Sequence, residues 1–468
     1  MQNKWAFFFL ACHCGMIVLF GWTTYNTKKP HGDYSMWMDI HVMIALGFGF
    51  LMSFMSRSSF VATGHSYIGT AFVFFWALLN YGFWHRVINP SVGTKWDRIE
   101  IGLESLVNAD FCAAAVLISF GAMIGKISMS QLLLMCLVEV IFYSINEAIL
   151  YTRFNVADIG GSMVIHLFGA TFGLVCSLFL EHDEGRRTKL AKRSSPAITH
   201  NSDTLAMIGT IFLWCFWPSF NSFLGGHFDD GTLSQRAAVN TCLSISGSAV
   251  VAAFVSSIIG NGKMSMVDIQ NATLAGGVAI GAVANMFLQP YGALVIGSFA
   301  GLVSTLGFNY LSPFLDRTIG LKDTCGILNL HCIPGFMGAI VSVIVTGSAD
   351  EATQGQGFPE GTFATTKLIW PVYGSRSWRE LAGNQLAGIG CTIGIATATG
   401  ALTGLLLRYC DPLEEYFEDG TEYIVHNTDH TFAEQQAKEL SPLGAMSSLT
   451  SNAVSHAPDD GDEMQEQA

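Results

Sequence analysis

Asp158-Ile-Gly-Gly-Ser-Met-Val-Ile-His166 and Asp323-Thr-Cys-Gly-Ile-Leu-Asn-Leu-His331 decide how this chain is read. Each stretch opens an apolar run, and each sets a histidine eight residues after an aspartate. At about 1.5 Å per helical residue, each histidine lies roughly 12 Å inside its helix. A bilayer core is about 30 Å thick, so that depth approaches the midplane. Ionisable side chains at the midplane are expensive and mark functional sites. A lone buried histidine is more often a packed structural residue. Two at the same offset from an aspartate, at matching places in the chain, reverse that preference. The aspartates have a plainer reading: Asp is a preferred N-cap and suits the positive end of a helix. Asp158 and Asp323 are therefore expected to support the two helix starts.

Composition sets the class. Of 468 residues, 50% are hydrophobic and only 13% charged, against about 25% charged in a soluble domain. The chain reads as an all-α polytopic membrane protein. Its net charge of −13 is unevenly placed. Residues 1–410 hold 22 basic and 22 acidic side chains, whereas residues 411–468 hold 14 acidic ones against a single Lys438. The expectation is a transmembrane domain over 1–410 and an acidic, disordered tail over 411–468, since that tail composition buries no core. The eleven cysteines are scattered through apolar runs and show neither a disulfide framework nor a metal spacing. No nucleotide-binding motif and no catalytic constellation stands out. The chain is not read as an enzyme, and no metal, cofactor or nucleic-acid partner is expected.

Twelve apolar runs start near Ala6, Ile40, Ser66, Glu104, Gln131, Ile159, Thr204, Ala237, Val267, Gly292, Gly326 and Gly383. Each approaches the roughly 20 residues that a spanning helix needs. The first is read as a retained helix rather than a cleaved signal, because it exceeds the usual apolar length and lacks a small-x-small site. The connection 182–203 carries Arg186, Arg187, Lys189, Lys192 and Arg193, which places it, and both termini, in the cytoplasm. Gly121/Gly125, Gly297/Gly301 and Gly276-Gly277 are read as close-packing positions. The two Asp-x7-His motifs open runs six and eleven. Five crossings separate them, and an odd number reverses direction. Runs 2–6 and 7–11 then form an inverted five-helix repeat, which brings the two histidines together at the midplane.

These motifs, with Asn108-Ala-Asp-Phe111, Met207 through Asn221 and Ile269-Gln-Asn-Ala-Thr-Leu-Ala-Gly-Gly277, resemble the Rh (Rhesus-type) glycoproteins, the animal branch of the ammonium transporter superfamily. The resemblance covers about residues 5–410. It implies an ammonium-transporter-like fold, a plasma-membrane homotrimer, and one hydrophobic pore per subunit for ammonium or ammonia. His166 and His331 fall on the twin pore histidines. Phe111 and Phe220 fall on the outer gate, and Asp158 on the acidic residue that shapes the site. Asn221 and Trp217 neighbour the gate, and Glu147 falls in the outer vestibule. The microbial branch recruits the cation with an outer tryptophan and serine. Here no Trp occurs between 140 and 157, and Leu224 stands at the serine's place, which speaks against tight cation recruitment. Two alternatives remain: a carbon dioxide channel, which the same apolar pore would serve, and a membrane-skeleton anchor with a cytoskeletal or sorting partner at the tail. Asp110 is read as a structural capping residue.

Overall fold

The computed structural model describes residues 3–26, 34–89, 94, 97–181, 198–224, 232–286, 288–348, 378–413 and 416–425. The basic cluster at 186–193 and the tail beyond 425 lie outside them. Among the described residues, twelve helices are long and apolar enough to cross a bilayer. They are α1 (Asn3–Phe20), α2 (Tyr34–Phe54), α3 (Val61–Ile88), α4 (Leu103–Gly121), α5 (Met129–Phe154) and α6 (Ser162–Leu180), followed by α7 (His200–Ser222), α8 (Leu233–Ile259), α9 (Met266–Val283), α10 (Pro290–Ile319), α11 (Leu328–Gly347) and α12 (Arg379–Leu407). All twelve expected runs are present. A short parallel strand pair, β1 (Thr23–Tyr25) and β2 (Ile99–Ile101), ties the end of α1 to the approach of α4.

Contacts follow the repeat. In the first half α3 packs on α5; in the second, α8 packs on α10. Two of the backbone irregularities repeat as well, beside π turns at Met43–Phe48 and Val61–His65 that occur in the first half alone among the described residues. π turns lie at Leu150–Phe154 and Ser162–Leu167, and again at Gly307–Leu311 and Leu328–Cys332. A π turn widens the helix by one residue and leaves a carbonyl free of its usual partner, a distortion found often at functional positions. In each half, the second of the repeated turns carries the histidine.

The helices nearest the centre are the most buried: α4 and α9 by 83%, against 11% for α1, which leans on the bundle through Phe9 and Met16. Close approach depends on small residues. A Cβ at Gly297 would overlap the Ser244 carbonyl, and one at Gly301 would overlap that of Ser248, so α8 and α10 touch backbone to backbone. Gly276 likewise meets Ser244, whereas Gly277 accommodates the Trp217 ring. Gly125 differs from its expected helix-packing role. It lies beyond the end of α4 with φ +74°, and its carbonyl accepts a bond from Phe417 N at 2.8 Å.

That bond belongs to a wider attachment. The described residues up to Glu422 pack as one compact unit. Asp419 accepts from Val61 N at 2.7 Å and Phe60 N at 3.0 Å at the start of α3. Ser130 Oγ donates to Asp411 at 2.7 Å, and Met129 N donates to Glu422 at 3.2 Å, both at the start of α5. Carboxylates thus sit at helix N-termini, where free N–H groups and the helix dipole favour them.

Candidate functional site

The two aspartates hold the two helix starts. Asp158 Oδ2 accepts from Met163 N at 2.9 Å and Val164 N at 2.8 Å. Asp323 accepts from Gly326 N and Ile327 N at 3.0 Å and from Leu328 N at 2.9 Å. Each carboxylate satisfies N–H groups that the first helical turn leaves free. The connection just before α6 adds a crossing of small residues: Gly160 N donates to Gly281 O at 3.0 Å, and Ser162 Oγ links Val278 O to Ala282 N. The first half is thereby fixed to α9 of the second. Lys126 does comparable work near Asp323, donating to Lys322 O at 2.6 Å and Ser177 Oγ at 3.0 Å.

From these starts the chain carries His166 and His331 inward until they meet. Their Nδ1 atoms are 3.2 Å apart, the rings lie within 9° of parallel, and both side chains are buried. Two neutral imidazoles in this contact share one proton: one Nδ1 donates and the other accepts. The donor ring then presents a bare Nε2 as an acceptor, and the acceptor ring presents an Nε2–H as a donor. His166 Nε2 is buried and has no hydrogen-bond partner among the described residues.

Aromatic rings close the site from the Asp158 side. Phe111 and Phe220 meet edge to face, with centroids 4.7 Å apart. Phe220 lies 6.0 Å from His166, and Trp217 stacks on His166 at 5.8 Å. Asn221 donates to Thr241 Oγ1 and to Gly277 O, both at 3.1 Å, fastening α7 to α8 and α9. On the Asp323 side, Phe48 stacks on His331 at 6.1 Å. Beyond it lies a cavity bounded mainly by apolar groups, including Leu51, Leu117, Ile118 and Ile327, with His331 and Asn271 as its polar contributions.

The structure therefore brings His166, His331, Phe111, Phe220 and Trp217 into one stack, with Asp158, Asp323 and Asn221 holding the backbone around it. Glu147 stands apart. It is 4% exposed, and its Oε2 lies 3.5 Å from His85 Nε2 on α3. Asp110 caps no helix. It lies inside α4 and accepts from Trp37 Nε1 at 3.2 Å, with His41 Nδ1 2.8 Å away. Phe48 escaped sequence reading, since nothing separates it from the other aromatics of an apolar run. Among the described residues no cluster of His, Cys, Asp or Glu has metal-binding geometry.

A bundle of twelve spans with polar rings meeting inside an apolar interior defines a membrane transport protein. The chain belongs to the Ammonium Transporter Family, whose profile matches residues 4–423, and within it to the Rh branch. It is 43% identical over 394 residues to the ammonium transporter Rh type B of Sus scrofa, covering 83% of this chain and 81% of that protein. It is 39% identical over 455 residues to the human ammonium transporter Rh type C, covering 92% and 91%. Among solved structures, the Rh50 protein of Nitrosomonas europaea, described with the conduction mechanism of Rhesus-family channels, superposes with a TM-score of 0.68 at 29% identity over 89% of this chain and 97% of that one. Saccharomyces cerevisiae Mep2 shares the fold, with a TM-score of 0.60 at 18% identity. These relatives are transporters and channels, not enzymes.

Proposed function

We propose that this chain passes ammonium nitrogen across the plasma membrane as neutral ammonia, through a twin-histidine pore in each subunit of a homotrimer. The observation that carries the reading is the buried contact of His166 with His331, sealed by Phe111 and Phe220 on one side and continued by an apolar cavity on the other. A bare ammonium ion pays heavily to enter such a lining, which offers little to replace its hydration shell. Ammonia carries no charge and both donates and accepts hydrogen bonds. The paired imidazoles present one acceptor and one donor, which matches that need at the point where water is excluded. In this account ammonium gives its proton to water on the outer side of the Phe111/Phe220 gate, and ammonia passes His166 and then His331.

The positive cluster at 186–193 favours both termini in the cytoplasm, which makes the Asp158 mouth the outer one. Glu147 would then lend negative charge near that mouth. Its burial beside His85 gives it a long-range influence on approaching cations in place of direct contact. Residues 1–410 are read as the transporting domain and 411–468 as an acidic cytoplasmic tail, bonded to the bundle through Asp411, Asp419 and Glu422 and open to a sorting or cytoskeletal partner.

The apolar cavity below His331 also favours a second reading, carbon dioxide conduction. Stopped-flow pH traces on proteoliposomes separate the two. Ammonia entry alkalinises the lumen and carbon dioxide entry acidifies it. The primary reading predicts an alkalinisation faster than that of protein-free vesicles. An accelerated acidification alone would replace it with the second.

A further inference from the structure

We infer that α2 is a brace that sets the size limit of the gate, with Asp39 and His41 as positioning residues for Phe220 and Phe111. The inference rests on the pore reading above. Neither gate ring is anchored by its own chemistry, since phenylalanine makes no hydrogen bond. Each follows a residue that is tied to α2. Ser219 Oγ, next to Phe220, donates to Asp39 at 2.8 Å. Asp110, next to Phe111, is 2.8 Å from His41 Nδ1 and accepts from Trp37 Nε1.

The helix around Phe220 needs such support. Pro218 stands inside α7, removing one backbone donor and crowding the preceding turn. Ser222 Oγ returns a bond to the Pro218 carbonyl at 2.6 Å, so local bonds close the turn but do not fix its distance from α4. The Ser219–Asp39 bond ties it to α2 instead. On the opposite side Asp110 is fully buried. Its carboxylate is tolerable there only while donors face it, and both named donors come from α2. Trp37 and His41 lie one helical turn apart with rings 5.6 Å from each other, and His41 rests edge-on against Phe74 of α3 at 5.4 Å. The first turns of α2 therefore hold the α4 and α7 segments whose phenylalanines meet at 4.7 Å. Releasing either arm lets the rings part, and the pore admits a larger amine.

The test compares methylamine and ammonia permeation in proteoliposomes for the wild type, Ser219→Ala, His41→Ala, and the conservative Ser219→Thr and His41→Asn. Phe220→Ala serves as a control for the gate itself. Ser219→Ala and His41→Ala should raise the methylamine-to-ammonia ratio by about fivefold, the factor that one ordinary hydrogen bond corresponds to. Ser219→Thr keeps the hydroxyl, and His41→Asn keeps a donor where Nδ1 stands, so both should hold the wild-type ratio. An unchanged ratio in folded Ser219→Ala and His41→Ala overturns the inference, as does an equal fall in both permeabilities. Should His41→Ala not fold, Ser219→Ala decides alone, because it removes a single oxygen. If Phe220→Ala raises the ratio while Ser219→Ala and His41→Ala do not, the brace fails and the pore reading stands. If the wild type conducts no ammonia, the pore reading itself has failed.

Discussion

Replacing Asp158 separates the need for an acceptor from the need for a charge. Asp158→Ala removes the oxygen that accepts from Met163 N at 2.9 Å and Val164 N at 2.8 Å. Both residues are buried, so water cannot replace the lost partner. An unsatisfied buried donor costs about 1–3 kcal/mol, which makes the pair worth about 2–6 kcal/mol. That is a large share of a stability of about 5–15 kcal/mol. The loss falls on the π turn that carries His166, so conduction should fall together with stability. Asp158→Asn keeps an acceptor oxygen in place. Its amide would occupy the position of Oδ1, which lacks a partner among the described residues; the unpartnered amide costs about 1–3 kcal/mol, offset in part because the neutral amide sheds the burial penalty of the carboxylate, which keeps the loss well below that of Ala. Thermal unfolding of the purified protein in detergent, followed by ammonia flux in proteoliposomes, measures both. Asn close to wild type, with Ala well below it, supports the capping role. Equal damage in the two variants would show that the charge matters and refute the argument, and a wild-type melting curve for Ala would refute it more directly.

Further expectations follow from other contacts. Phe220→Ala removes one of two rings in edge-to-face contact; it should raise permeation of larger amines, and unchanged flux and selectivity would count against its place in the gate. Gly297→Leu would drive a side chain into the Ser244 carbonyl, and overpacking with backbone displacement costs roughly 1–3 kcal/mol or more, so the protein should lose its monodisperse peak on size exclusion. Burial pushes the Asp419 carboxyl above its ordinary value of 3.8, against the lowering by the Phe60 and Val61 N–H groups. A raised folded pKa stabilises fully below the ordinary value, and that contribution fades as pH rises through the folded one. Hydrogen exchange at residues 59–63, corrected for intrinsic rates, should therefore show protection falling on going from acid to neutral pH, and Asp419→Asn should flatten the trend.

Much of the fold is legible in the chain because lipid imposes a strong and simple rule. A spanning helix must be apolar for about 20 residues, and twelve such runs stand out. The repeat is legible through one spacing, Asp158 to His166 and Asp323 to His331, whose mirrored entry into the membrane brings the two Nδ1 atoms to 3.2 Å. What stays hidden is of two kinds. Backbone irregularity leaves no compositional trace, so the π turns under both histidines could not be read from Ser162-Met-Val-Ile-His-Leu167 or Leu328-Asn-Leu-His-Cys332. Pairings across the fold are also invisible. Asp110 finds His41 across 69 residues, and Ser219 finds Asp39 across 180. The same holds for Glu147, whose side chain turns out to lie against His85. Composition also divides the chain at 410, whereas the packed unit continues through Glu422 because Asp411, Asp419 and Glu422 each bond to a group at a helix start.

The central claim is that ammonia crosses at the His166–His331 contact. Stopped-flow ammonia flux in proteoliposomes of matched protein density, for the wild type, His166→Ala and His331→Ala, tests it most directly. Each variant should show a changed flux or a changed ammonia-to-methylamine selectivity, because each leaves the other imidazole without its Nδ1 partner. Wild-type flux and selectivity in both variants would contradict it.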